Sequence, residues 1–372
     1  MVLLLFLSHF ITCVLTCQGR DDHLFISAIA ESGGPAVSFF PATLPGGYNS
    51  SVYQSTYDGL VLSTSCAPTL ATGNSLECLR QLPFQEINAT LYAGYGTWAP
   101  QIDGDFIATY PSLQLLSGNF VRVPLLIGTN TDEGTASGTG YGVINTDADF
   151  LSILNSTDIP PDSETAAIIS YLYPNIQAIG IPSLTTYPVV VEPGSEVAAL
   201  FGLQFRRMTS YFGDIVVNAP RRASNHAWSA FGIPSYSYRF DVTVNGVPNF
   251  IGATHFQEVA FMFNNINGNG YAVNPFGNLS TEDTRHFDDL AKYMSRSWVS
   301  FMTTGDPNHN GGPFGVQGTN GDWPVYNASA GGGEGWNMVF TVNGSGSYTE
   351  PDTYRAEGMA FISENALGVY GR

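Results

Sequence analysis

Residues 121–129, VRVPLLIGT, form a nearly continuous apolar run. That pattern predicts a strand buried on both faces of a parallel sheet. The polar loop Asn130-Thr131-Asp132-Glu133-Gly134 follows at once. Residues 24–30, LFISAIA, read as a buried segment that ends at the turn Ser32-Gly33-Gly34-Pro35. Residues 235–242, SYSYRFDV, alternate in strand fashion. Helical spacing recurs over 51–63, 76–82 (broken by Pro83), 162–172, 196–212 and 354–367. The clearest helix is 285–303, where Phe287, Leu290, Ala291, Met294, Trp298, Phe301 and Met302 recur at threes and fours. Ser280 with Asp283, or Thr281 with Glu282, are its candidate caps. Alternating strands and helices predict one α/β domain.

The first 18 residues stand apart. Residues 2–15 are apolar but interrupted by Ser8, His9 and Thr12, too short and too polar for a membrane span. They have the apolar stretch of a signal peptide without its basic start or a clear cleavage site. A buried strand or helix, or a misplaced start, are the alternatives. Cys13 and Cys17 lie here and are assigned no structural role.

Composition narrows the function classes. The 372 residues carry 13 basic and 31 acidic side chains, a formal net charge of −18. Basic clustering is confined to the pairs Arg206-Arg207 and Arg221-Arg222, which argues against nucleic acid and against an anionic membrane surface. A neutral or apolar small molecule suits this balance. Glycosylation sequons at Asn49, Asn88, Asn155, Asn278, Asn327 and Asn343 favour the secretory route. Cys66 and Cys78 bracket a polar loop and are the expected disulfide of a secreted chain.

Three segments invite chemistry. Glu133 follows a buried parallel strand, where open α/β sheets place function; a solvent-facing loop carboxylate is the bland alternative. His255, in Gly252-Ala253-Thr254-His255-Phe256-Gln257-Glu258, has the residue type of a general base near neutral pH, although a lone histidine is more often structural. Ser32, in Ala30-Glu31-Ser32-Gly33-Gly34, looks like a nucleophile but lacks the G-x-S-x-G form, as does every other serine. No histidine pair has metal-ligand spacing, and no glycine-rich phosphate loop is present. Neither metal nor cofactor is expected.

Taken in order, several blocks resemble the type-B carboxylesterase/lipase family of α/β-hydrolases, most of all its fungal secreted branch. They are Gly19-Arg20-Asp21-Asp22, Ala30-Glu31-Ser32-Gly33-Gly34-Pro35, the Cys66 to Cys78 loop, Pro124 to Gly134, Thr254 to Val259, Gly305-Asp306-Pro307-Asn308 and Trp323-Pro324-Val325-Tyr326. The resemblance implies ester hydrolysis through a serine acyl-enzyme (EC 3.1.1.-), acting on a small neutral or apolar ester. Glu133 is then the triad acid and His255 the base. It also implies that Glu258 is a structural acid, that Asn130 and Asp132 shape the acid loop, and that Ser32 hydrogen-bonds the acid. The family's serine elbow lies just upstream of the block matched by Gly19-Arg20-Asp21-Asp22. The expectation is therefore a leader over 1–18, followed over 19–372 by the C-terminal portion of an α/β-hydrolase. Its mostly parallel sheet would be incomplete, and its nucleophile absent from the chain. A catalytically silent binding or adhesion module, or a non-functional fragment, is the alternative.

Overall fold

The computed structural model describes residues 2–5, 15, 19–36, 51–92, 102–157, 160–277, 282–309, 322–329, 335–342 and 346–372. Among these, one six-stranded sheet runs in chain order. Its strands are β1 (Val2–Leu5), β2 (Ser27–Glu31), β3 (Leu125–Asn130), β4 (Ser235–Phe240), β5 (Trp336–Phe340) and β6 (Tyr348–Pro351). β1 to β5 are parallel and β6 is antiparallel. The helices that matter below are α1 (Ser51–Leu62), α2 (Pro111–Ser117), α3 (Phe205–Gly213), α4 (Ala219–Ala230), α5 (Glu282–Thr304) and α6 (Ala356–Glu364).

The period of two along the strands sorts side chains onto two faces. Ile29, Leu126, Tyr236, Tyr238 and Phe240 join Leu290, Met294, Trp298 and Phe301 of α5 in one core. Ala28, Ala30, Leu125 and Ile127 point the other way and join Ala227 and Trp228 of α4. Both faces are therefore covered by helices, as a parallel sheet requires. Gly128 faces Tyr238, whose ring lies where a Cβ would sit, 2.1 Å from the nearest carbon. No larger residue fits in β3 at that point.

The expected C-terminal remnant with an incomplete sheet is corrected. The α/β-hydrolase fold extends across almost the whole chain, from β1 at residue 2 to α6 ending at residue 364. Val2–Leu5, read as part of a leader, lie in parallel register with Ser27–Ala30.

Several boundaries also move. The strand expected from 121 begins at Leu125, since Pro124 has no N–H for the ladder. The helix expected over 196–212 divides into Glu196–Phe201 and α3. Gly202 separates them at φ +88°, and a Cβ there would meet the backbone of Ile144 at 2.2 Å. Asp162 caps Ser163–Leu172 by accepting from Thr165 N–H. The candidate caps Ser280 and Thr281 lie outside the described residues, and the side chains of Glu282 and Asp283 are not described. α4 was not expected: it is polar in sequence yet almost wholly buried.

Candidate active site

The site forms where β2 and β3 end. β2 closes at Glu31, and Ser32 turns away at φ +50° with its N–H bonded to the Gly128 carbonyl at 2.9 Å. β3 runs into Asn130, Thr131, Asp132 and Glu133. Parallel register therefore brings Ser32 beside the loop that carries Glu133.

The sequence-distant loop with His255 is stitched onto the acid loop. Asp132 N–H donates to the Ala253 carbonyl, and Ala253 N–H returns to Asp132 Oδ2, both at 2.9 Å. Asn130 Nδ2 donates to the Thr254 carbonyl at 2.6 Å. Thr135 Oγ1 bonds Ile251 O and Thr254 Oγ1. Gly252 is necessary here: at φ +66°, a Cβ would lie 2.1 Å from Asp132 Oδ2. The result is a 2.7 Å contact between His255 Nδ1 and Glu133 Oε2. Glu133 is buried, while the His255 side chain is 37 % exposed. The other Glu133 oxygen accepts from Asn130 N–H at 2.7 Å and from the Ser32 hydroxyl. The carboxylate cannot swing away from the ring without losing these donors. Phe256, directly after His255, sits at φ +75°, a strained setting for a bulky residue.

A second layer of acids surrounds this pair. Glu258 accepts from Asn130 Nδ2 at 2.6 Å and from Ser32 at 3.5 Å. Glu31 accepts from the Trp298 indole N–H at 2.6 Å. Glu31 Oε2 and the Tyr238 hydroxyl have no hydrogen-bond partner among the described residues.

Charge and burial oppose each other at His255 and act together on Glu258, Glu31 and Tyr238. Burial disfavours the imidazolium of His255, but the adjoining Glu133 charge and hydrogen bond outweigh it and hold the ring up to about 9. Burial, then the Glu133 carboxylate, pushes Glu258 up to about 7 against the Asn130 hydrogen bond. Burial and the Glu258 charge push Glu31 up to about 8. Burial likewise raises Asp132 to about 7, despite the Ala253 donor. The Tyr238 phenol lies well above its ordinary 10, through burial and the Glu31, Glu258 and Glu133 carboxylates.

Glu133, His255, Glu258, Asn130, Asp132 and Ser32 thus converge, although they come from three separate stretches of chain. Ser32 is not poised against the ring; its hydroxyl donates to Glu133. Glu31 and Tyr238 were missed, because nothing in a strand pattern distinguishes a buried acid from an edge one. The Cys66–Cys78 disulfide lies elsewhere, beside α1. Asn88, Asn155 and Asn327 are exposed; Asn49, Asn278 and Asn343 lie outside the described residues. Among the described residues, no group of three or more His, Cys, Asp or Glu side chains is arranged to hold a metal ion. No described helix is long and apolar enough to cross a membrane.

An α/β sheet with an acid–histidine pair at its carboxyl edge defines a hydrolase class, and comparison specifies it. The carboxylesterase family matches residues 10–333, and the chain belongs to that family. Secreted lipase 1 of Botryotinia fuckeliana is 28 % identical over 95 % of this chain and 54 % of its own length. Lipase 5 of Diutina rugosa is 24 % identical, over 94 % and 56 %. The crystal structure of Aspergillus niger EstA superimposes with a TM-score of 0.64 at 20 % identity, covering 97 % of this chain and 62 % of that one. The chain spans about half the length of the curated relatives it matches.

Two further expectations are corrected here. The chain does not enter the family fold only beyond Gly19. The family match begins at residue 10, and β1 lies earlier still. The expectation that the nucleophile is absent rests on every serine lacking G-x-S-x-G and on residues 1–18 standing outside the fold; the second ground is the one the structure tests. With β1 in the sheet, that ground is gone.

Proposed function

We propose that this chain hydrolyses carboxylic esters by a serine acyl-enzyme route, with Glu133 and His255 as acid and base. The observation that carries the reading is the 2.7 Å contact from His255 Nδ1 to a buried carboxylate whose other oxygen is held by two donors. A carboxylate on Nδ1 fixes the tautomer with a free Nε2, which then takes a proton from a hydroxyl and returns it to the leaving alcohol. Asn130 and Ser32 keep Glu133 in place, and Asp132 ties the histidine loop to it. A small neutral or apolar ester is the substrate, and secretion with glycans on the exposed Asn88, Asn155 and Asn327 accompanies the disulfide.

Chain order points to Ser8 as the nucleophile. It follows the last residue of β1 by three positions, and β1 runs parallel to β2, beyond whose end Ser32 lies. Ser8 itself lies outside the described residues, so labelling decides. A fluorophosphonate probe on the folded chain is expected to add once, at Ser8, and to fail in His255→Ala. An adduct on Ser32 would transfer the role to that residue. A folded chain that takes no adduct would overturn the reading.

A further inference from the structure

A cleft of about 620 Å³, within the range of small-molecule sites, is lined by Phe256, the residue directly after His255. Phe256 and Val259, in its wall, directly follow His255 and Glu258 in the chain. Tyr271 closes another side, near enough to Glu258 that, after burial, its carboxylate raises the phenol. Two kinds of group meet here. Phe256 and Phe263 present ring surface, being 49 % and 55 % exposed. Asn264, Asn267 and Asn269 bring exposed amides to the same cleft. Asn265 is committed internally, to the backbone of Asn269. None of the residues lining the cleft is Asp, Glu, Lys or Arg.

This lining discriminates between ligands. A charged ligand finds no counter-charge in the lining itself. A long acyl chain would strip water from three amides and return no hydrogen bond, which costs free energy for each group. A polyol or sugar ring fits both demands: its C–H face lies against aromatic rings, and its hydroxyls meet amide donors and acceptors. The position also selects one side of the ester. In acyl transfer the serine oxygen–carbonyl bond forms, the carbonyl–alkoxy bond breaks, and the serine proton passes through His255 to the leaving oxygen. The alcohol portion therefore lies on the His255 side.

We infer that the cleft formed by Phe256, Phe263, Tyr271 and the amides of Asn264, Asn267 and Asn269 binds the neutral, polyhydroxylated alcohol portion of the substrate. This rests on the ester-hydrolase reading, and the test separates the two. The double variant Asn264→Gly/Asn267→Ala removes two amides, and glycine tolerates the φ of +49° at position 264. Rates are compared on 6-O-butyryl methyl glucoside and hexyl butyrate. The ratio of kcat/KM for the sugar ester over the hexyl ester is expected to fall tenfold or more in the double variant, and to fall also in Phe263→Ala. A ratio that stays constant overturns the inference. Saturation-transfer NMR with free methyl glucoside needs no turnover. Its signal is expected in the parent chain and lost in the double variant, even if no ester is hydrolysed, an outcome that would fell the hydrolase reading alone. No signal in the parent chain overturns the inference.

Discussion

Two buried polar clusters sit on the same sheet and are built on opposite principles. At the carboxyl ends of β2 and β3, Glu133 and Glu258 act on one imidazole, and Glu31 lies close enough to Glu258 to feel its charge. Across β4 and β5, one carboxylate, Asp352, is shared by two arginines, Arg221 and Arg222. Asn337 and the Tyr326 hydroxyl complete its donors at 3.0 and 2.9 Å. Burial opposes ionisation of Asp352, but the two guanidinium charges overwhelm it and hold the carboxyl well below its usual range. That cluster is locked in one charge state at any ordinary pH. The acidic cluster is under-neutralised, so Glu31 and Glu258 are pushed toward neutral pH, where protons move. Like charges held together make a place for chemistry; opposite charges held together make a scaffold.

Breaking each cluster should produce a different kind of loss. The largest effect is expected from His255→Ala, which lowers kcat/KM by about 10³–10⁴-fold in an ester assay, while the urea midpoint hardly moves when measured above about pH 9, where the His255 charge no longer stabilises the fold. Asp352→Ala should do the reverse. It strands two buried guanidinium groups and costs about 3–5 kcal/mol in denaturant unfolding. A midpoint change as small as that of His255→Ala would show that the arginines find other partners.

Glu133→Gln sharpens the contrast further. His255 is held up to about 9 by Glu133, so its midpoint should drop toward 6.5 by NMR titration. In the parent chain the base must be neutral, so kcat/KM should rise with pH through about 9; in Glu133→Gln this rise moves to lower pH while the maximum falls. The linked stability has a definite sign. A histidine raised on folding stabilises fully below about 6.5, and that contribution vanishes as pH rises through about 9. The smallest effect is expected from Glu31→Gln. A carboxyl raised from 4.5 to about 8 penalises the fold as pH rises through that window. Parent stability should decline over it, and the variant should decline less. Parallel pH–stability curves would show that Glu31 is not the group concerned.

Much of the site could be read from the chain. A buried apolar strand followed by Asn130-Thr131-Asp132-Glu133, and a distant Thr254-His255-Phe256-Gln257-Glu258, are local patterns with local causes. Glu31 was not readable as a proton-holding acid. Its environment comes from Trp298, 267 positions away, and Glu258, and neither is its neighbour in sequence. α4 was missed for the same reason. Its arginines look like a solvated face, yet Arg221 is fully buried because Asp352 reaches it from 131 positions on.

What the chain determined by itself follows from short-range physics: strand and helix periodicity, the Asp162 cap and the break at Pro124. The tertiary structure decided the rest. Parallel register set Ser32 against the Glu133 loop, the Asp132–Ala253 clamp delivered His255 to Glu133, and packing under α5 sealed the acids from water. The charge state of a side chain depends on what surrounds it in space, and those surroundings exist only after the distant segments have met.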